Sequence, residues 1–310
     1  ASVRETGRTY FERNEANPLE EDLIIVDEAS MLDISLFYHL LCALKDGARL
    51  ILVGDIDQLP PVGAGEPLKD LMSWGYVPIV RLKRIFRQEE GSGIVENAAL
   101  IRKGEMCVPD EAGEFRIVYA ADDEDAYRIV MDLCRELNYG NEENKMLLQV
   151  LSPMYRGVCG VDHLNESLQE MIHGEKVPDG MKFFPGDKVM QTRNDYEKGI
   201  YNGDVGTVWT ATPQKVFVRY FDKEVVYEGE ERFDLRLAYA VTVHKSQGSE
   251  YETVIFILRP SQHNMLQRNL LYTGVTRARK NTILVTAPDA LRRALAIQHT
   301  GNRYSLFLLF

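Results

Sequence analysis

Two acidic strand ends carry the clearest chemistry in the chain. Asp27-Glu28 follows directly on the apolar run Leu23–Val26, and Gly54-Asp55 follows directly on the apolar run 50–53. In an open parallel sheet the carboxyl ends of the strands face the ligand crevice, so two adjacent strands of this kind deliver carboxylates to one edge. Hydrolysis of a nucleoside triphosphate needs such a supply. One acid holds Mg2+, usually through water, and another orients or deprotonates the attacking water. Gln58 lies a few residues past the second strand, where a neutral amide can sense a γ-phosphate by hydrogen bonding. Either dipeptide alone reads first as a polar strand end; two of them within one strand–helix–strand unit put a site on an equal footing with that reading.

The elements that must position these groups can be traced outward from them. Asp33 is placed to cap a helix whose apolar face is Leu36, Phe37, Leu40, Leu41 and Leu44, ended by Gly47. The short links on either side predict a parallel βαβ unit with a right-handed crossover, its strands buried on both faces. Further along, helices are expected over 94–102, 121–137 and 161–172, with Asp162 near the start of the last, and buried strands over 147–151, 253–258 and 282–286. From 184 to 237 the texture changes to short β-prone stretches with turn signals at Pro185-Gly186, Asn202-Gly203 and Thr212-Pro213. That pattern predicts a small antiparallel barrel inserted into an α/β domain. The first residues, 1–8, open on no obvious element, and the apolar tail 306–310 reads as a docked end or a truncated element.

Bulk properties narrow the class. The chain has 310 residues, enough for two or three domains, and its 45% hydrophobic and 27% charged content is that of an ordinary globular protein. No apolar run approaches the ~20 residues of a membrane span, and 1–8 has no signal-peptide core. Cys42, Cys107, Cys134 and Cys159 are scattered without a CxxC pair, which argues against zinc or a disulfide framework and fits a reducing cytoplasm. A net charge of −11 argues against coating of nucleic acid by bulk attraction. The charge is uneven, however: 105–143 holds twelve acids against three bases, and 259–303 eight bases against one acid. The basic segment suits local phosphate contacts, or is simply a solvated face.

Longer strings around these residues resemble a known family. Val26-Asp27-Glu28-Ala29-Ser30-Met31 and Gly54-Asp55-Ile56-Asp57-Gln58-Leu59-Pro60-Pro61 look like motifs II and III of the RecD-like helicases of superfamily 1. Ile85-Phe86-Arg87-Gln88 is similar to motif IV, Val241-Thr242-Val243-His244-Lys245-Ser246-Gln247-Gly248-Ser249-Glu250 to motif V, and Leu271-Tyr272-Thr273-Gly274-Val275-Thr276-Arg277-Ala278-Arg279-Lys280 to motif VI. Gly186-Asp187-Lys188-Val189-Met190 and Asn202-Gly203-Asp204-Val205-Gly206 resemble that family's inserted barrel of the Src-homology-3 kind, and Val150-Leu151-Ser152-Pro153-Met154 the segment before it. Tyr10-Phe11-Glu12-Arg13-Asn14 with Asn17-Pro18-Leu19 resembles the hairpin before motif II, a strand-splitting pin in the family. The likeness runs from about residue 8 to about 287, with the motifs in the expected order.

The resemblance implies an α/β protein of RecA-like P-loop NTPase domains: a partial first domain over 1–82 with a hairpin remnant at about 8–18, a second over 83–183 and 238–310, and the barrel over 184–237. ATP and Mg2+ are the implied cofactors, with ATP held between the two domains. By resemblance, Asp27 is the Mg2+ ligand, Glu28 the catalytic base and Gln58 the γ-phosphate sensor. Asp55, Gly248 and Glu250 are expected near the nucleotide, and Arg87 and Arg277 are the arginine-finger candidates, since guanidinium stays charged and forks onto phosphate oxygens. Arg84 is expected to be an ordinary surface base. Thr242, His244 and Lys245 are implied to face DNA; His244 taken alone would be a structural histidine, and Tyr272 is either a core aromatic or a flank of the nucleotide.

Single-stranded DNA and duplex junctions are the implied partners, with recombination or repair subunits besides, movement 5′→3′ and no membrane. Alternatives are a non-catalytic DNA-binding or regulatory module, or the helicase part of a conjugative relaxase. The family's GxxxxGK[ST] phosphate loop is absent from the 310 residues, although Gly91-Ser92-Gly93 and 199–206 are glycine-bearing. It lies upstream of motif II in the family, so the chain is expected to be an excised C-terminal part, inactive alone.

Overall fold

The computed structural model describes residues 2–5, 8–82, 91–178 and 180–298. Contacts divide the described residues into one unit up to residue 82 and a second from 91 to 298.

In the first unit, β1 (Ser2–Glu5) pairs antiparallel with β2 (Arg8–Phe11), so an element stands where none was expected before residue 8. A second tight turn follows at Asn14 and Asn17, whose backbones exchange hydrogen bonds of 3.0 and 3.1 Å. β3 (Leu23–Val26) then leads through a single 3-10 turn at Ala29–Met31 into α1 (Ile34–Cys42), and β4 (Arg49–Leu52) lies parallel to β3. Asp33 caps α1 as expected: its Oδ1 accepts from the Leu36 amide at 2.7 Å. The helix stops earlier than Gly47, at Ala43, and Gly47 supplies instead the left-handed residue of the turn into β4. α2 (Pro67–Trp74) completes the described unit.

The expectation of strands buried on both faces fails here. Leu23, Ile25, Ile51 and Val53 are 47, 61, 46 and 42% exposed. Alternation puts these four on one face of a two-stranded sheet, and the described residues leave that face open. Within α1 only Phe37 is buried, while Leu36 and Leu41 stay exposed.

The second unit holds α3 (Gly93–Lys103), β5 (Phe115–Tyr119), α4 (Asp123–Glu136), α5 (Glu142–Lys145), β6 (Leu148–Ser152) and α6 (Val161–His173). Next come β7 (Lys188–Gln191), β8 (Val205–Ala211), β9 (Lys215–Arg219), β10 (Glu224–Glu228) and β11 (Leu235–Leu237). The chain returns through β12 (Ala240–Thr242), β13 (Tyr251–Leu258), α7 (Arg268–Val275), β14 (Ala278–Thr286) and α8 (Pro288–Ala296).

Two sheets result. One is wholly parallel, in the order β12-β6-β13-β14-β5, and the other is antiparallel, in the order β10-β9-β8-β7-β11. The parallel strands are continuous apolar runs because helices cover the sheet: Val150, Ile255, Ile283 and Val285 share a core with Val130 and Leu133 of α4 and Leu164 and Leu168 of α6. The acidic stretch forms α4 because its charges fall at the helix start. Asp122 caps it, accepting from the Asp125 amide at 2.8 Å, and Asp123, Glu124 and Asp125 sit in the first turn, where the helix dipole favours anions. The antiparallel sheet has a separate core of Phe183, Val189, Val208, Val218 and Leu235. It interrupts the parallel sheet between β6 and β12, which are neighbours. An α/β architecture with an antiparallel insertion is therefore what the chain adopts.

Candidate functional site

In the first unit, the carboxylates of motifs II and III arrive at one edge of the sheet through β3 and β4. The edge is held by backbone contacts that only certain residues permit. Ala29 donates from its amide to Val53 O at 2.8 Å, and Val53 donates to Val26 O at 2.8 Å. Gly54 lies so close beneath the 3-10 turn that a Cβ there would fall 2.8 Å from Ser30 N and 3.2 Å from Ala29 N. Glycine is therefore required for the two strand ends to meet. Downstream, Ile34 N donates to Ala64 O at 2.8 Å, and Gly63 abuts the Asp33 carboxylate with no room for a side chain. The 60–65 segment is thereby tied to the start of α1.

Glu28 adopts a left-handed backbone, φ 51° and ψ 37°, one of two non-glycine residues among those described with positive φ. Such a conformation is uncommon for a residue with a side chain, and where it occurs it clusters at functional positions. Here it breaks the strand's alternation immediately after Asp27, and the Glu28 amide donates to Asp27 Oδ1 at 2.8 Å. Asp55 is half-buried and accepts from the Asp57 amide at 3.0 Å, while its carbonyl receives the Gln58 amide at 3.2 Å. Gln58 is buried and lines a small cleft with Ser30, Ile56, Leu59, Glu66 and Lys69. Asp27, Glu28, Asp55 and Gln58 thus gather in one unit. Oxygen donors of this kind suit Mg2+, which takes one or two carboxylates and leaves its other positions to water and phosphate.

The second cluster lies wholly within the second unit. Thr242 ends β12 and is buried; its Oγ1 accepts from the Lys245 amide at 3.2 Å, so it shapes the motif V turn. His244 is half-buried, and burial holds its pKa below the usual histidine value, which favours the neutral ring. The Lys245 ammonium donates to Asn202 Oδ1 at 2.6 Å, a link from motif V to the inserted sheet. Burial, with Arg236 nearby, lowers its pKa. Gly248 is exposed, with a left-handed φ of 77° and open space where a Cβ would stand. Glu250 lies 3.6 Å from Arg279.

Arg277 is 2% exposed. Its Nε donates to Thr273 O and its Nη1 to Ser249 O, both at 3.2 Å, so the guanidinium joins motif VI to motif V. Tyr272 is half-buried on α7. Arg84 and Arg87 lie outside the described residues.

Several positions with clear structural roles carried too little signal to be found by reading. Asn202 resembled any turn residue, and Gly54 a strand-end glycine. Asp187 and Lys188, charged residues next to Val189-Met190, are completely buried. A charged pair inside an apolar stretch was the available clue.

Three family models match the chain: an AAA domain over residues 4–116, a Src-homology-3 domain of ATP-dependent RecD-like DNA helicases over 164–220, and a UvrD-like helicase C-terminal domain over 237–285. Among curated proteins, an ATP-dependent RecD2 DNA helicase of Deinococcus radiodurans is 37% identical over 304 residues, covering 97% of this chain and 41% of its own length. A RecBCD enzyme subunit RecD of Mycolicibacterium smegmatis is 33% identical, covering 96% of this chain and 56% of its own. The chain spans about half the length of these relatives. Among solved structures, a Bacteroides Pif1 helicase in complex with ADP-AlF3 and single-stranded DNA is similar in fold, with a TM-score of 0.58 at 21% identity over 94% of this chain and 76% of that one. A Pif1 helicase from Candida albicans gives 0.54 at 19%, over 90% and 75%.

Proposed function

The chain belongs to the RecD-like helicases of superfamily 1, and from that membership we propose that it is part of an ATP-driven motor that moves on single-stranded DNA and unwinds duplexes. The observation that carries the reading is the strand edge of the first unit, where Gly54 lets motif III close on motif II and Glu28 leaves the strand in a left-handed turn. In this reading Asp27 holds Mg2+, usually through water, and Asp55 adds negative charge beside it. When bound, Mg2+ would offset the negative charge that these carboxylates and the triphosphate share, and the triphosphate would supply the electrophilic phosphorus. Glu28 accepts the proton of the attacking water, and Gln58 hydrogen-bonds toward the γ-phosphate. Arg277 and Arg87 take the arginine-finger role, with Gly248 and Glu250 near the nucleotide.

Thr242, His244 and Lys245 belong to the strand-binding segment, His244 and Lys245 at its surface and the buried Thr242 by shaping the turn that presents them. Single-stranded DNA is the ligand and a duplex junction the substrate, with a neutral His244 and a partly buried Lys245 contacting backbone and bases locally. One relative is named as a RecBCD subunit, which supports recombination or repair partners. The scattered cysteines, without a CxxC pair, support a reducing cytoplasm as its location. The Gln58-Leu59-Pro60 form of motif III supports 5′→3′ movement; unwinding confined to duplexes with a 3′ tail would contradict that direction.

Glu28→Gln in the full-length protein tests the chemistry. The amide cannot take up the water's proton, so turnover is abolished while Mg·ATP binding persists. Near-normal turnover removes Glu28 from the role.

A further inference from the structure

The inserted sheet begins with two buried charges that the hydrolytic chemistry does not use. Asp187 and Lys188 are 0 and 1% exposed. They are neighbours in sequence, yet each is bonded to a different part of the parallel-sheet domain. The Asp187 carboxylate accepts from His173 Nε2 at 2.8 Å, from Tyr239 OH at 2.9 Å, from the Phe184 amide at 2.7 Å and from Gln169 Nε2. Lys188 Nζ donates to Lys145 O at 2.8 Å, Leu148 O at 3.1 Å and Gln149 Oε1 at 2.9 Å, with Tyr139 OH at 3.5 Å. The rings of Tyr139 and Tyr251 lie 5.6 and 5.5 Å from the same ammonium. Lys145, itself buried, reaches across to Gly186 O and bonds Glu142.

Burying an ammonium costs several kcal/mol unless its donors are satisfied, and an apolar residue would fill the same space without that cost. What the polar version adds is direction. An apolar contact tolerates sliding and rotation, whereas these bonds, made to α5, α6, β6 and the start of β12's segment, are met in one orientation of the inserted sheet. The connection between β7 and β8 carries Asn202, whose Oδ1 accepts from Lys245 of motif V at 2.6 Å. The inserted sheet therefore meets the parallel-sheet domain in a buried set of bonds at Asp187 and Lys188 and again, at an exposed position, at Asn202.

We propose that Asp187 and Lys188 are positioning residues that lock the inserted sheet onto the second unit, and that the lock holds Asn202 against Lys245 so that motif V and the inserted sheet present one continuous surface to a single-stranded nucleic acid. The last clause rests on the strand-binding reading of motif V; the lock itself does not.

A double-mutant cycle in the full-length helicase tests it, using a fluorescein-labelled oligothymidylate at fixed salt. Lys188→Met and Asn202→Ala each weaken binding on the order of 10-fold, and the double variant is little worse than either, because both break the same link. Losses that multiply overturn the proposal. Hydrogen exchange is read in parallel: the lock requires that Lys188→Met speed exchange across 188–237 while β13 and β14 keep their protection. If Lys188→Met does not fold, Asp187→Asn, which keeps the shape and loses the charge, serves in both measurements. Unchanged exchange in a folded variant removes the lock. Failure of the unaltered protein to bind the oligonucleotide removes the strand-binding reading, while the exchange measurement still decides the lock.

Discussion

Replacing Arg277 separates two tasks that its guanidinium can hold. As a finger, it acts on phosphate charge, and its loss lowers kcat by roughly 10³-fold or more. As a strut, it ties motif VI to motif V through Thr273 O and Ser249 O. Thr273 O keeps the hydroxyl of Thr276 at 3.1 Å when the arginine is removed, whereas Ser249 O loses the Arg277 donor. Ser249 is half-buried, so its acceptor left without a donor costs toward the lower end of about 1–3 kcal/mol, and the vacated volume adds to it. Arg277→Ala is therefore expected to destabilise the second unit by about 2–4 kcal/mol as well as to stop turnover. Lysine keeps the charge and can still donate but lacks the planar guanidinium fork, so Arg277→Lys is expected to recover part of the stability and none of the turnover. Urea midpoints of this chain and ATPase rates of the full-length protein separate the two effects. Arg279→Ala is the control, since Arg279 is exposed and its ion pair with Glu250 contributes at most about 1 kcal/mol. An unchanged midpoint for Arg277→Ala refutes the strut, and an unchanged kcat refutes the finger.

Other perturbations read other parts of the molecule. Gly54→Ala forces a methyl group against Ser30 N and Leu68, and is expected to lower the unfolding free energy of the first unit by about 1–3 kcal/mol; a midpoint equal to that of the unaltered chain would show that the strand ends do not meet so closely. Stability is expected to rise with pH just above neutrality. Burial and the nearby Lys145 push Lys188 down to about 7, so the unfolded chain holds a proton that the folded chain has released. From pH 7 to 8.5 this adds about 1.5 kcal/mol. At higher pH the thiols of Cys107, Cys134 and Cys159, pushed up to about 12 by burial, act the other way, because they ionise first in the unfolded chain. Denaturation of Lys188→Met across the same window should lack the rise, and an identical slope would exclude Lys188 as its source. These 310 residues by themselves contain no phosphate loop, so calorimetry with Mg·ATP should give no tight binding; a strong isotherm would mean that the carboxylate edge suffices.

Much of the second unit was legible because its signals are local and agree. The run at β13 is apolar at nearly every position, and strand length and composition suffice for that reading. Turn dipeptides such as Asn202-Gly203 marked the inserted sheet. The candidate site was legible only as strings, since the close approach at Gly54 depends on residues 24 and 25 positions away, and no local pattern records it. The same holds for Arg277, whose two carbonyl partners lie 4 and 28 positions off. Composition misled at Leu23 and Ile25: an apolar run states that a strand can be covered on both faces, but the covering must come from elsewhere. Asp33 was readable because a cap acts over three residues.

The first and last strands of the inserted sheet are hydrogen-bonded neighbours, Leu237 opposite Val189. The chain thus leaves the parallel sheet and rejoins it through a single doorway. From the standpoint of the surrounding domain, some fifty residues behave as one long loop whose ends are already joined, so lengthening a hairpin at the far side adds almost no closure entropy to the core. The turns at Thr212-Pro213 and Asp222 can therefore accept or lose residues independently of the parallel sheet. Variation in reach can accumulate there without being felt at the strand edge or along motif V.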